Sequence, residues 1–176
     1  MLKTFFCLTG IVALVCLTPA CTLKLDGASI PANMKTIDVE FFENNAPLVV
    51  NNLSQQFTES LKERIRSQTR LSIVRTPDAD AEFSGYITNY TIVPVSIQAT
   101  GSNNAPPIAN ASRLTITVKV KYSVNQEKFG KKSDFEQEFS KYADFTGDIA
   151  SKEQALILDI NKQLTEDIFN KAFANW

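Results

Sequence analysis

Histidine is absent from this 176-residue chain. Its absence excludes the Ser-His-Asp and Cys-His catalytic arrangements and every zinc site built on imidazole. Cysteine is scarce, and Cys7, Cys16 and Cys21 all fall at the N-terminal end. The body of the chain therefore has no thiol to act as nucleophile or metal ligand. The six glycines are scattered, and none forms the G-x-G-x-x-G spacing that cradles a phosphate. Neither sign of charge dominates, with 18 basic and 19 acidic residues, so no general electrostatic attraction to nucleic acid exists. Carboxylate or lysine catalysis stays formally open, yet nothing points to it. The expectation is a protein that is no enzyme and needs no cofactor and no metal.

What is present begins at the N-terminus. Lys3 precedes an apolar run, Phe5 to Leu17, too short for the about 20 residues of a bilayer-crossing helix. A charged start, a short apolar centre and small residues at its end describe a secretory signal. Leu17-Thr18-Pro19-Ala20-Cys21 then resembles a bacterial lipobox, in which the cysteine sulfur receives diacylglycerol and becomes the new N-terminus. Thr18 stands where leucine is usual, and Cys16 is the poorer candidate because bulky Val15 precedes it. The competing reading is an ordinary cleaved signal with a chance cysteine. Lipidation explains better why an oxidising compartment would hold one unpaired Cys21, and two or three acyl chains anchor durably. The chain thus divides into a signal, residues 1–20; a lipidated tether, 21–34, lacking periodicity; and one folded domain, 35–176.

Within that domain the patterns change along the chain. "KTIDVEFF" alternates as a half-buried strand, with Ile37, Val39 and Phe41 on one side. Leu53, Phe57, Leu61 and Ile65 mark an amphipathic helix, opened by an Asn52–Gln55 capping box. "RLSIV" is a short strand. "AEFSGYITNYTIVPVSIQ" is a long one, where Pro94 implies an edge or bulge and Tyr86, Tyr90 and Ile92 share a side. After a loop at 99–112, "RLTITVKVKYSV" alternates most cleanly: the even-numbered residues from Leu114 to Val124 face the core and the odd-numbered ones from Arg113 to Ser123 face away. "NQEKFGKKS" is a basic turn, and "DFEQEFSKYADF" a last strand held by Phe135 and Phe139. Ser151 and Gln154 open a final helix whose stripe is Ile157, Ile160, Leu164 and Ile168. The first two strands, joined through a helix, should be parallel, and the later ones antiparallel. The expected fold is a two-layer α/β (α+β) sandwich, a mixed four- to five-stranded sheet with two helices packed on one face.

Taken in order, "GASIPANMKTIDVEFFENNAPLV", "LSQQFTESLKERI", "GYITNYTIVPVSIQ", "SRLTITVKVKY", "FEQEFSKYADF" and "DIFNKAFANW" resemble the LptE family of lipopolysaccharide-assembly lipoproteins, in its Bacteroidetes-type branch. The resemblance runs from about Gly27 to Trp176. "TLKLD" after Cys21 and the 99–112 loop depart from it. It implies a lipoprotein of the outer membrane facing the periplasm, lodged as plug and assembly factor in an LptD-type β-barrel. It also raises the question of direct contact with lipopolysaccharide.

Arg113, Lys119 and Lys121 project from one strand face, and the two lysines lie about 7 Å apart by the strand rise. Such a row could meet lipid phosphates or a partner; it could equally be an ordinary solvated face. Glu136 and Glu138 share a side of the last strand and read best as a charged edge that discourages stray pairing. A second function, a stand-alone periplasmic lipoprotein holding a lipid or glycan, would need a deep apolar pocket between helices and sheet.

Overall fold

The computed structural model describes residues 30–48, 50–95, 111–130 and 134–174. Signal, Cys21, most of the tether, residues 99–110 of the loop and Trp176 lie outside the described residues. The elements are β1 (Thr36–Val39), β2 (Glu43–Asn44), α1 (Leu53–Gln68), β3 (Ser72–Val74), β4 (Ala81–Val95), β5 (Ala111–Val124), α2 (Gln126–Phe129), β6 (Phe135–Thr146) and α3 (Glu153–Phe173). They build a six-stranded mixed sheet in the order β3-β1-β4-β5-β6, with β2 added alongside β4. The α/β sandwich is as expected. The sheet gains the two-residue β2, and the basic turn winds into α2.

β1 pairs parallel with β3, and β4–β5 and β5–β6 are antiparallel, as the patterns implied. β4, however, does not continue next to β3. It inserts on the other side of β1, also parallel. Ala111 and Ser112, read as loop, already belong to β5.

Burial follows the alternation. Leu114, Ile116, Val118 and Val120 of β5 are fully buried, as are Leu53, Phe57, Leu61 and Ile65 of α1 and Ile160, Leu164 and Ile168 of α3. α1 lies toward β2 and β3, α3 covers β5 and β6, and the helices pack on each other. Beneath α3, Tyr122 is ringed by Phe83, Phe135 and Phe173 at centroid distances of 4.8, 5.7 and 5.7 Å.

Four local expectations need correction. Asn52 takes a left-handed backbone (φ 65°) and makes no side-chain cap, because a capping side chain must start from extended backbone. Ser151 does not cap α3 either. The amides of Lys152 and Glu153 already donate to the Ile149 carbonyl at 2.8 and 2.7 Å, and Ser151 Oγ donates to the Asp148 carbonyl. After β1 the chain bends, so Phe41 points outward, 58% exposed, and Phe42 enters the core against Phe57, ring centroids 5.0 Å apart. Finally, a bulge between Ile87 and Asn89 reverses the parity of β4. Tyr86 therefore faces outward while Tyr90 faces the helices, where its hydroxyl donates to Glu153 at 2.7 Å. Pro94 lies where β4 has only β5 beside it, the edge position its missing donor requires.

Two positions fix how the strands meet. Gly85 has φ +152°, and a Cβ there would stand 2.1 Å from the Lys119 carbonyl oxygen and 2.8 Å from the Phe42 ring. Only glycine lets the Phe42 ring settle on β4. Asp80, just before β4, is buried, and its carboxylate accepts from the amides of Lys35 (2.8 Å) and Thr36 (3.1 Å) and from Lys128 Nζ (2.8 Å). Its carbonyl takes the Asn125 amide at 2.9 Å. One side chain thus joins the start of β1 to the β5–β6 hairpin.

Candidate interaction face

The helices cover one face of the sheet, and among the described residues nothing covers the other. On that open face β5 presents Arg113, Thr115, Thr117, Lys119 and Lys121, as its alternation predicts. The register sets Asp144, Tyr142, Ser140, Glu138 and Glu136 of β6 opposite these five in turn. From the other side β4 contributes Val93, Thr91, Asn89, Tyr86 and Ser84. A one-residue slip would bury this whole row, so the apolar alternation of β5 is also what aims its polar side chains.

The cations are largely engaged within the sheet. Arg113 forms a fork with Asp144, Nε to Oδ1 at 2.7 Å and Nη2 to Oδ2 at 2.9 Å. The same guanidinium lies 3.7 Å from the Tyr142 ring centroid. The hydrogen bond to Asp144 raises the Arg113 pKa, and the reciprocal bond lowers that of Asp144. Lys119 Nζ meets Glu136 at 2.6 Å, which raises the lysine and lowers the glutamate. Lys121 is exposed and has no ion-pair partner among the described residues. The structure thus brings the three candidate residues onto one face but holds two of them by β6 carboxylates. Glu136, read as a strand-edge charge, is such a counter-ion; Asp134 instead accepts the Val124 amide at 2.9 Å and closes the hairpin.

Sequence reasoning missed the aromatic part of this face. Val93 is 46% and Tyr142 52% exposed beside Arg113, and Tyr86 is exposed further along. The cross-strand position of Tyr142 on β6 carried the signal, because alternation from Phe139 puts it outward. Large apolar side chains standing together in water, around an arginine already fixed by a fork and a ring, have the make-up of an interface centre. Fixing Arg113 before contact lowers the ordering cost of binding.

The space between helices and sheet is filled. Phe57, Leu61, Ile65, Ile157, Ile160 and Leu164 close it with side chains at or near zero exposure. Three hollows among the described residues lie at the surface and are lined largely by charged and polar groups. No deep apolar pocket for a lipid tail stands there. Among the described residues no group of three His, Cys, Asp or Glu could hold a metal ion, and no helix is long and apolar enough to cross a membrane.

The LptE family model, described as lipopolysaccharide-assembly, matches residues 34–172. The chain belongs to the LptE family. No curated protein sequence matches this LptE-family chain at a significant level. Among solved structures it is similar to the hypothetical protein CT253 from Chlamydia trachomatis, with a TM-score of 0.54, 9% identity, and 78% of this chain and 97% of that one covered. Protein XCC0632 from Xanthomonas campestris superposes with a TM-score of 0.53, 10% identity and 86% of each chain covered. The rare lipoprotein B from Shewanella oneidensis gives a TM-score of 0.48 at 10% identity, covering 77% of this chain and 92% of that one. At such identities the first two superpositions show a shared fold alone, and the family assignment rests on the sequence match.

Proposed function

We propose that this LptE-family protein is a lipid-anchored, non-catalytic component of lipopolysaccharide assembly. It partners an LptD-type barrel in the outer membrane and faces the periplasm. Cys21 carries the anchor, and the folded domain acts as plug and assembly factor for the barrel. The observation that carries this reading is the open sheet face, where Val93, Tyr142 and Tyr86 stand exposed around half-buried Arg113 above a filled core. A filled core suits a plug that works by shape and area rather than by enclosing a ligand. Any contact with lipopolysaccharide phosphates falls first to Lys121, because Arg113 and Lys119 would have to exchange their β6 carboxylates for phosphate.

Photocrosslinking tests the assignment of the face. A photoreactive residue at position 142 or 86 should trap the barrel in intact cells, and one at Leu158, exposed on α3, should trap it far less. The reverse pattern would move the interface to the helices and overturn this reading.

A further inference from the structure

Where β1 ends beneath α1 the surface dips into a depression of about 840 Å³ lined by Lys62 and Arg75 together with Asp38, Glu40 and Glu82. A second hollow of about 440 Å³ shares Lys62 and Arg75, adds Arg66, and includes none of those three carboxylates. Val39 and Ile73 give it an apolar floor. Glu59, the acceptor for Lys62, lines both hollows; the cations gather where the hollows overlap and continue, and the other three carboxylates stand only in the larger one.

Neither set is fully satisfied. The Lys62 side chain is buried, yet its ammonium has one acceptor, Glu59 Oε1 at 3.2 Å, for three donors. Arg75 has no ion-pair partner among the described residues. Opposite them, Glu40 is raised above its ordinary carboxylate value, by partial burial and then by repulsion from Glu82 and Asp38, with Lys121 opposing. A dianion would meet the carboxylates, and a simple cation would meet the lysine and arginines. A ligand bearing both charges answers both ends.

We propose that this depression binds a small zwitterion with an anionic phosphate and a primary ammonium, the phosphoethanolamine class, whether free or as a lipid headgroup. Lys62 and Arg75 donate to the phosphate oxygens, and the guanidinium fork suits that group. Asp38, Glu40 and Glu82 accept from the ammonium, which needs N–H donors. A quaternary ammonium would lack these donors and find only one exposed ring, Phe41, in place of an aromatic cage. Such binding does not rest on the barrel partnership: the carboxylate end borders the open face near Lys121, and Arg113 and Tyr142 stand toward the other end of that face.

Calorimetric titration of the detergent-solubilised full chain with O-phosphoethanolamine tests it. Binding should be at least about tenfold tighter than for inorganic phosphate, ethanolamine or phosphocholine, the factor expected when one charge-assisted contact is lost. Lys62→Met, Arg75→Gln and Glu40→Gln should each weaken it by about the same factor. Arg75 is exposed, so its variant keeps the fold even if Lys62→Met does not. Adding phosphatidylethanolamine to the micelles distinguishes the sources: displacement of the probe assigns a lipid headgroup, and its absence with binding intact assigns a free phosphoamine. Equal binding of inorganic phosphate, or no response to Arg75→Gln and Glu40→Gln, would overturn the proposal.

Discussion

Replacing Asp80 by alanine removes three hydrogen bonds at once. It leaves the amides of Lys35 and Thr36 without their acceptor in a part-buried place and frees Lys128. Stranding a buried donor costs about 1–3 kcal/mol, so two amides alone set the loss on the order of 3 kcal/mol. Asp80→Asn should cost less, since one amide oxygen can still accept from the backbone while its NH2 group faces the Lys128 ammonium. The pH dependence has a definite sign. Lys128, as the largest cause, and the backbone donors favour the charged carboxylate, so the folded pKa of Asp80 lies well below its ordinary value. The stabilisation is complete above the unfolded value of about 3.9 and is lost as pH falls below it toward the folded pKa. Urea unfolding of wild type and both variants at pH 7, repeated down to pH 3, reads all of this. An alanine penalty under about 1 kcal/mol, or a wild-type to alanine gap that widens on acidification, would refute the reasoning.

Three further predictions follow from the packing. Gly85→Ala should abolish or severely weaken folding, by about 3 kcal/mol or more, because the new methyl meets backbone at 2.1 Å; circular dichroism melting checks it. Asn161 of α3 is fully buried and neither amide atom has a protein partner among the described residues. Asn161→Leu should therefore raise stability, by about 1 kcal/mol or more, in the same urea assay. Tyr142→Ala with Val93→Asp should lower thermal melting only modestly, because both side chains are half exposed and the Arg113–Tyr142 stacking lies at the surface, but should reduce recovery of the barrel from membranes.

The layers of the fold were legible because burial has a period. The fourfold recurrence in α1 and twofold recurrence in β5 place their core residues directly. Where a single residue breaks the period, alternation alone misleads. The bulge at Ile87/Asn89 puts Tyr86 and Tyr90 on opposite faces, and the bend after Val39 exchanges Phe41 for Phe42. Both depend on contacts distant in sequence, the first on the β4–β5 ladder and the second on Thr58 of α1, whose Oγ1 takes the Phe42 amide at 3.1 Å. The capping box at Ser151 failed because neighbouring backbone had already met the same need, and the one at Asn52 because its backbone is left-handed. The candidate face was half legible. Alternation gave Arg113, Lys119 and Lys121 their side of the sheet, but pairing to Asp144 and Glu136 depends on β5–β6 register, which no local pattern encodes.

The most direct measurement is purification of the C-terminally tagged full chain from gently solubilised outer membranes, followed by identification and quantification of what stays bound. The plug account predicts a large β-barrel at near one-to-one stoichiometry, and poor assembly of that barrel when the lipoprotein is depleted. Recovery of the protein without a barrel, or a barrel whose assembly does not respond to depletion, would contradict it.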